Sequence, residues 1–122
     1  MKFSSVILFV AAAVSPAAAS NCFTSGETWG DKAADARTQA EAFCRETNLN
    51  FSYNGEQRKS CRYLTNALKV EFAIRWGGSG TRTLGLNDCI IRLKDEINNC
   101  SRGGRTTTAD WEFTADPNRG VC

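Results

Sequence analysis

The spacing between apolar residues changes several times along this chain, and each change marks an element. After the loop FTSGETWG, Trp29, Ala33, Ala36, Ala40 and Phe43 recur at steps of four and three, which places them on one helical face. Lys32, Asp35, Arg37, Gln39 and Glu41 fall mostly on the opposite side. Thr28 and Asp31 stand three apart, in the positions of a capping box, and predict the helix start there. The helix is expected to end near residues 46–48, with Cys44 in its last turns. Its stripe of alanines lets the axis lie close to whatever it covers.

The period then drops to two. Leu49, Phe51 and Tyr53 alternate with Asn50, Ser52 and Asn54, and Asn54-Gly55 supplies a favoured hairpin turn. Residues 58–64 read as the return strand, with Cys61 inside it. A second turn around residues 65–67 leads into KVEFAIRW, where Val70, Phe72, Ile74 and Trp76 share one face and Glu71, Ala73 and Arg75 the other. Short connections make these strands antiparallel. The glycine-rich GGSGTR is a connection without phosphate-loop spacing.

A second helical period follows. Asn87 is a natural N-cap, with Asp88 well placed against the positive helix end. Ile90, Leu93, Ile97 and Cys100 form the buried stripe, widened by Ile91, and Arg92 with Glu96 forms an i,i+4 surface pair. Gly103-Gly104 stops the helix. Residues 106–114 read as the last strand, Asp116-Pro117-Asn118 as a proline-led turn, and Cys122 as a staple at the chain end. The expected order is αβββαβ. The fold class is α+β: a small disulfide-stapled domain with two helices packed on a mainly antiparallel four-stranded sheet.

The first residues, MKFSSVILFVAAAVSPAAAS, show a charge, an apolar run and small residues in the order of a secretory signal peptide. The apolar run is too short to span a bilayer core of about 30 Å. Cleavage is expected near Ala19–Ser20, which divides the chain into a signal peptide at 1–19 and a single secreted domain at 20–122. Loss of Lys2 would lower the net charge from +2 to +1. So small a charge offers no general attraction to nucleic acid or to a membrane surface, and neither nucleic-acid binding nor membrane insertion is expected.

Cysteine usage points the same way. Cys22, Cys44, Cys61, Cys89, Cys100 and Cys122 make an even count in an exported chain, which implies three disulfides. Each is worth about 2–4 kcal/mol, against a typical total stability of about 5–15 kcal/mol. Cys89 and Cys100 cannot pair if both lie on the second helix. Eleven residues at about 1.5 Å rise separate them by roughly 16 Å, whereas a disulfide needs Cα atoms within about 7 Å. The other connectivities stay open. Zinc is not expected, because there is no C-x-x-C pair and no histidine, and no cofactor is implied.

Candidate chemistry is sparse. Asp110 and Glu112 lie two apart on the expected last strand, with carboxyls about 6–7 Å from each other, near the separation used by inverting glycosidases. A solvated sheet face explains them more simply. Nucleophilic triads and most general-base schemes use histidine, so an enzyme is not expected. A histidine-free hydrolase using Asp110 and Glu112, or Arg58, is an alternative. Arg58-Lys59 with Arg62 beside Tyr63 reads as a guarded strand edge. For ligand binding the candidates are Tyr53 and Tyr63 near the Asn54-Gly55 turn, Arg75, and the indoles of Trp76 and Trp111. Sugar rings stack apolar C–H faces on aromatic side chains while polar groups bond their hydroxyls. Core packing competes for both tryptophans. Asn50-Phe51-Ser52 and Asn99-Cys100-Ser101 are glycosylation sequons.

Several landmarks fall in a recognisable order. They are CFTSGE at 22–27 with Trp29, Gly55-Glu56 before Cys61, Cys89, Leu93, Glu96-Ile97, Cys100 and Gly103-Gly104, then Trp111, Asp116-Pro117-Asn118, Gly120 and Cys122. The set resembles the small secreted fungal glycan-binding, lectin-like family typified by the shaggy ink cap mushroom protein. The resemblance implies an αβα-type sandwich and non-catalytic binding of glycans or glycoproteins. It also implies a homodimer in which one sheet edge joins another. A secreted effector or toxin acting on a host or competitor protein is the alternative from another class.

Overall fold

The computed structural model describes residues 21–122, so the expected signal peptide lies outside the described residues. A 3-10 turn at Gly30–Lys32 leads into α1 at Ala33–Glu46. Then come β1 at Asn50–Phe51, β2 at Gln57–Thr65, β3 at Leu68–Trp76 and β4 at Arg82–Thr83. Helix α2 spans Leu86–Asn98, and β5 at Gly104–Thr108 and β6 at Trp111–Arg119 close the chain. The main sheet has the order β2-β3-β6-β5, all antiparallel, and β1 pairs with β4 in a separate two-stranded ribbon. The expected α+β class, with two helices and a four-stranded antiparallel sheet, is the fold observed.

The expected stripes form one core. Trp29, Ala36, Ala40 and Phe43 of the first helical region are buried with Leu93 and Ile97 of α2 and with Val70, Phe72, Ile74, Phe113 and Ala115 of the sheet. The Phe43 and Phe72 rings stack at 5.6 Å. Burial in β3 alternates strictly, with Val70, Phe72, Ile74 and Trp76 inward. Both helices touch each other and this same sheet face. The described residues therefore form two layers, and the other sheet face is left open.

Several local expectations are corrected. The Asn54-Gly55 turn does not join two paired strands, because β1 pairs with β4 instead of β2. Arg58 explains why. Its guanidinium donates to the Asn48 and Asn50 carbonyls at 2.8 and 2.7 Å and lies 4.5 Å from the centre of the Phe51 ring. Its ion pair with Glu56 leaves that carboxylate to accept from the Ser52 N–H at 2.6 Å. Backbone groups that a return strand would satisfy are satisfied by side chains.

The expected last strand is a hairpin. Ala109 and Asp110 both have positive φ, 52° and 71°, the signature of a two-residue type I′ turn. Asp110 therefore sits in a turn, and the proposed strand-face pair with Glu112 does not exist. The proline-led turn is also absent, because Asp116, Pro117 and Asn118 all lie within β6. Pro117 lacks an N–H, but β5 pairs with β6 only as far as Ala115, so no ladder bond is lost on that side. Gly103, at φ +77°, packs there. A Cβ on it would stand 2.6 Å from Pro117 Cδ.

Neither helix uses its expected cap. Lys32 and Gly85 occupy the N-cap positions, and neither makes a side-chain cap hydrogen bond. Trp29 is instead held by its indole N–H, which donates to the Cys100 carbonyl at 2.8 Å. On α2, Ile91 is exposed and Glu96 is buried. The Arg92–Glu96 surface pair is thus replaced by a Glu96 carboxyl facing Thr106 of β5. The disulfides are Cys22–Cys100, Cys44–Cys89 and Cys61–Cys122. They fix the N-terminal segment, the two helices, and the chain end against β2, and Cys89 does not pair with Cys100.

Candidate functional site

The open face of the main sheet presents its side chains in rows set by strand register. Lys59, Ala73, Thr114 and Arg105 form one row across β2, β3, β6 and β5. Cys61, Glu71 and Asp116 form the next, and Tyr63, Lys69 and Asn118 the one beyond. On the other side run Gln57, Arg75, Glu112 and Thr107. Small side chains therefore sit at the centre and long polar ones around them. The result is a depression of about 400 Å³ lined by Lys59, Glu71, Ala73, Arg105, Thr114 and Asp116.

The polar groups here hold one another in place. Asn118 donates to Glu71 Oε1 at 2.7 Å, and Arg105 Nε donates to Thr114 Oγ1 at 3.3 Å. Burial pushes the Asp116 carboxyl above its ordinary range, and the Glu71 charge adds to this. Hydrogen bonding by Asn118 and the Arg105 charge oppose it. Cys61 lines the depression, and its bridge to Cys122 ties the chain end to β2. A second depression, of about 520 Å³, shares Arg105, Asp116 and the adjoining Asn118 with this face and is completed by residues 22–26.

The sequence candidates are dispersed. Trp76 and Trp111 are 2% and 8% exposed, with ring centres 4.6 Å apart in the core, so neither offers a face for stacking. Packing wins because their strand faces point at the helices. Tyr53 and Tyr63 are 60% and 46% exposed, but they do not flank one turn. Tyr63 lies at the far end of β2, six residues from Gln57 or about 20 Å of strand. Its hydroxyl accepts from the Ala67 N–H at 3.1 Å. Arg75 does project from the open face, beside Glu112. The basic cluster splits. Arg58 and Arg62 pair with Glu56 and Glu46 on the helix side, and Lys59 alone faces the depression.

Glu71, Ala73, Arg105, Thr114 and Asp116 were not singled out by sequence reasoning. The alternation of KVEFAIRW did put Glu71 and Ala73 on the polar face. Only the strand order reveals which side chains stand beside them. Glu96 lies on the helix side of the sheet in a separate cavity of about 100 Å³. Among the described residues, no group of three or more His, Cys, Asp or Glu is arranged to hold a metal ion.

The arrangement offers donors and acceptors converging on a shallow floor, suited to a ligand rich in hydroxyls. A family model described as glycan binding domain Y3 matches residues 35–122. No curated protein matches the chain.

Proposed function

Since this chain belongs to the glycan binding domain Y3 family, we propose that it is a secreted, non-catalytic carbohydrate-binding protein whose binding surface is the open sheet face. The observation that carries the reading is the depression over Ala73 and Thr114 with its polar rim. Sugar hydroxyls act as both donors and acceptors. Lys59 and Arg105 supply donors, Glu71 and Asp116 supply acceptors, and the Thr114 hydroxyl does either. Charged groups make the stronger hydrogen bonds of the set. The hydrogen bonds from Asn118 to Glu71 and from Arg105 to Thr114 order these side chains before a ligand arrives, which lowers the entropy cost of binding.

Export fits the three disulfides, which persist in oxidising compartments. No described helix is long and apolar enough to cross a membrane. A homodimer joined along the outer edge of β2 belongs to the same reading, and that edge runs for nine residues.

A glycan array probed with oxidised protein spanning residues 20–122 tests the proposal. Wild type is expected to bind a defined subset of glycans. Ala73→Trp, which fills the depression from an outward-facing position, is expected to abolish that binding without unfolding the domain. A folded wild type that binds no glycan, or an Ala73→Trp protein that binds like wild type, would overturn the assignment.

A further inference from the structure

We infer that this surface takes an extended oligosaccharide, longer than a disaccharide, through a second subsite built where the N-terminal segment crosses the edge of β5 and lined by Phe23. The inference rests on the glycan-binding reading and adds the class of ligand.

The segment at residues 21–23 is laid along the sheet as a partial fifth strand. Cys22 bridges Gly104, the Phe23 N–H donates to the Gly103 carbonyl at 2.8 Å, and the Arg105 N–H donates to the Asn21 carbonyl at 3.0 Å. The Cys22–Cys100 disulfide secures it covalently. The loop that follows is tied down as well. Arg102 Nη1 donates to the Gly26 carbonyl, and Arg119 pairs with Glu27 at 2.8 Å. A surface loop held at three places is ordered before binding, so a ligand lying on it need not supply that ordering.

This segment turns one depression into a groove. The central hollow and the hollow along residues 22–26 meet at Arg105 and Asp116, which line both. Four inter-strand spacings of about 4.8 Å separate Lys59 on β2 from the N-terminal segment, roughly 19 Å in all. A mono- or disaccharide cannot reach from one end to the other.

The two halves also differ in chemistry. The central hollow is rimmed by charged and hydroxyl groups. The one aromatic residue of its lining, Phe72, is buried with its ring stacked on Phe43 in the core, so it offers no ring face to a ligand. Half-buried Phe23 brings an aromatic side chain to the second hollow, together with Thr24 and Ser25. An aromatic face contributes through apolar contact with the C–H side of a pyranose. Hydroxyl recognition at one end and stacking at the other describes subsites for different units of one chain.

The test uses the strongest glycan found for wild type on the array, together with its mono-, di- and trisaccharide fragments, titrated calorimetrically. Affinity is expected to rise tenfold or more between the disaccharide and the longest chain. Phe23→Ala is expected to remove that increment and to leave disaccharide affinity within twofold. Backbone amide shifts of Thr24, Ser25 and Gly26 in the unaltered protein should move with the long chain and stay still with the disaccharide. Equal affinity across the length series, or amide shifts confined to the central strands, would overturn the second subsite and leave the glycan-binding reading standing. Absence of all glycan binding by folded protein would remove both.

Discussion

Glu71 on β3 and Asp116 on β6 are direct cross-strand neighbours on the open side of the sheet, so two carboxyls stand side by side in the proposed binding surface. Like charges directly opposed in a sheet are destabilising. Burial and the Glu71 charge both raise the Asp116 pKa. A group raised in the folded state contributes stability while protonated, and the contribution is lost as pH rises through its folded pKa.

Asp116→Asn keeps that position neutral at every pH. The variant is expected to be more stable than wild type near neutrality by about 0.2–1 kcal/mol, the scale of a cross-strand pair. Its glycan affinity is expected to fall, because a charged acceptor is lost. Thermal melting and calorimetric titration check the two together. A gain in stability paired with a loss of binding marks a residue retained for function. A destabilised variant with unchanged affinity would speak for a structural role instead.

Glu96 gives a second pH dependence from inside the fold. It is 4% exposed, and burial raises its pKa, with the Asp95 charge adding and the Thr106 hydrogen bond opposing. Its contribution is full below the ordinary value of 4.5 and is lost as pH rises through the folded pKa. Glu41 and Glu56 act oppositely. Hydrogen bonds to Glu41 from Arg45 and Lys94, and to Glu56 from the Ser52 N–H and Arg58, lower both pKa values. Their contributions are present above 4.5 and lost as pH falls through the folded values. Stability is therefore expected to peak in mildly acid solution. Glu96→Gln should raise stability at neutral pH by about 1 kcal/mol and flatten the decline on the alkaline side. Urea denaturation across the pH range measures both effects.

Elements with a long, uninterrupted period were legible in the sequence. The alanine stripe of α1 and the alternation of β3 are buried as their spacing requires. The errors arose where a local signal met a partner distant in sequence. Asn54-Gly55 is a good hairpin turn, but Arg58 caps the strand that would have paired across it. Pro117 reads as a turn until β5 is seen to stop at Gly104, opposite Ala115. Ile91 and Glu96 traded places because the stripe of α2 faces both α1 and β5, and periodicity alone does not say where a helix face ends. The binding surface was the least legible part. It is composed of single residues from four strands whose adjacency exists only in the sheet order β2-β3-β6-β5.

Burial of the indoles makes a spectroscopic prediction. Trp29, Trp76 and Trp111 are all in the core, and the Trp29 and Trp76 N–H groups already donate to the Cys100 and Gly80 carbonyls. Emission is expected to be that of a water-excluded indole, weakly quenched by iodide. Saturation with the strongest array glycan should leave both the emission maximum and the quenching unchanged. A large shift on binding would mean that an indole reaches the ligand, contrary to the placement of Trp76 and Trp111 found here.

The three disulfides differ in exposure, which sets the order of their reduction. Cys44 and Cys89 are buried between the helices, and their bridge is out of reach of a thiolate until the helices part. Cys61 and Cys122 are both exposed on the open sheet side. Mild reductant followed by alkylation and peptide mass spectrometry is expected to label Cys61 and Cys122 first, with circular dichroism still native. Replacing both by serine should cost about 2–4 kcal/mol and release the chain end from β2, beside the central hollow that Cys61 lines. Glycan affinity should then fall more than in a variant equally destabilised in the core, such as Ile97→Val. Labelling of Cys44 and Cys89 before the exposed pair would overturn the order of reduction, and full affinity after the serine replacement would show that the chain end is not part of the binding surface.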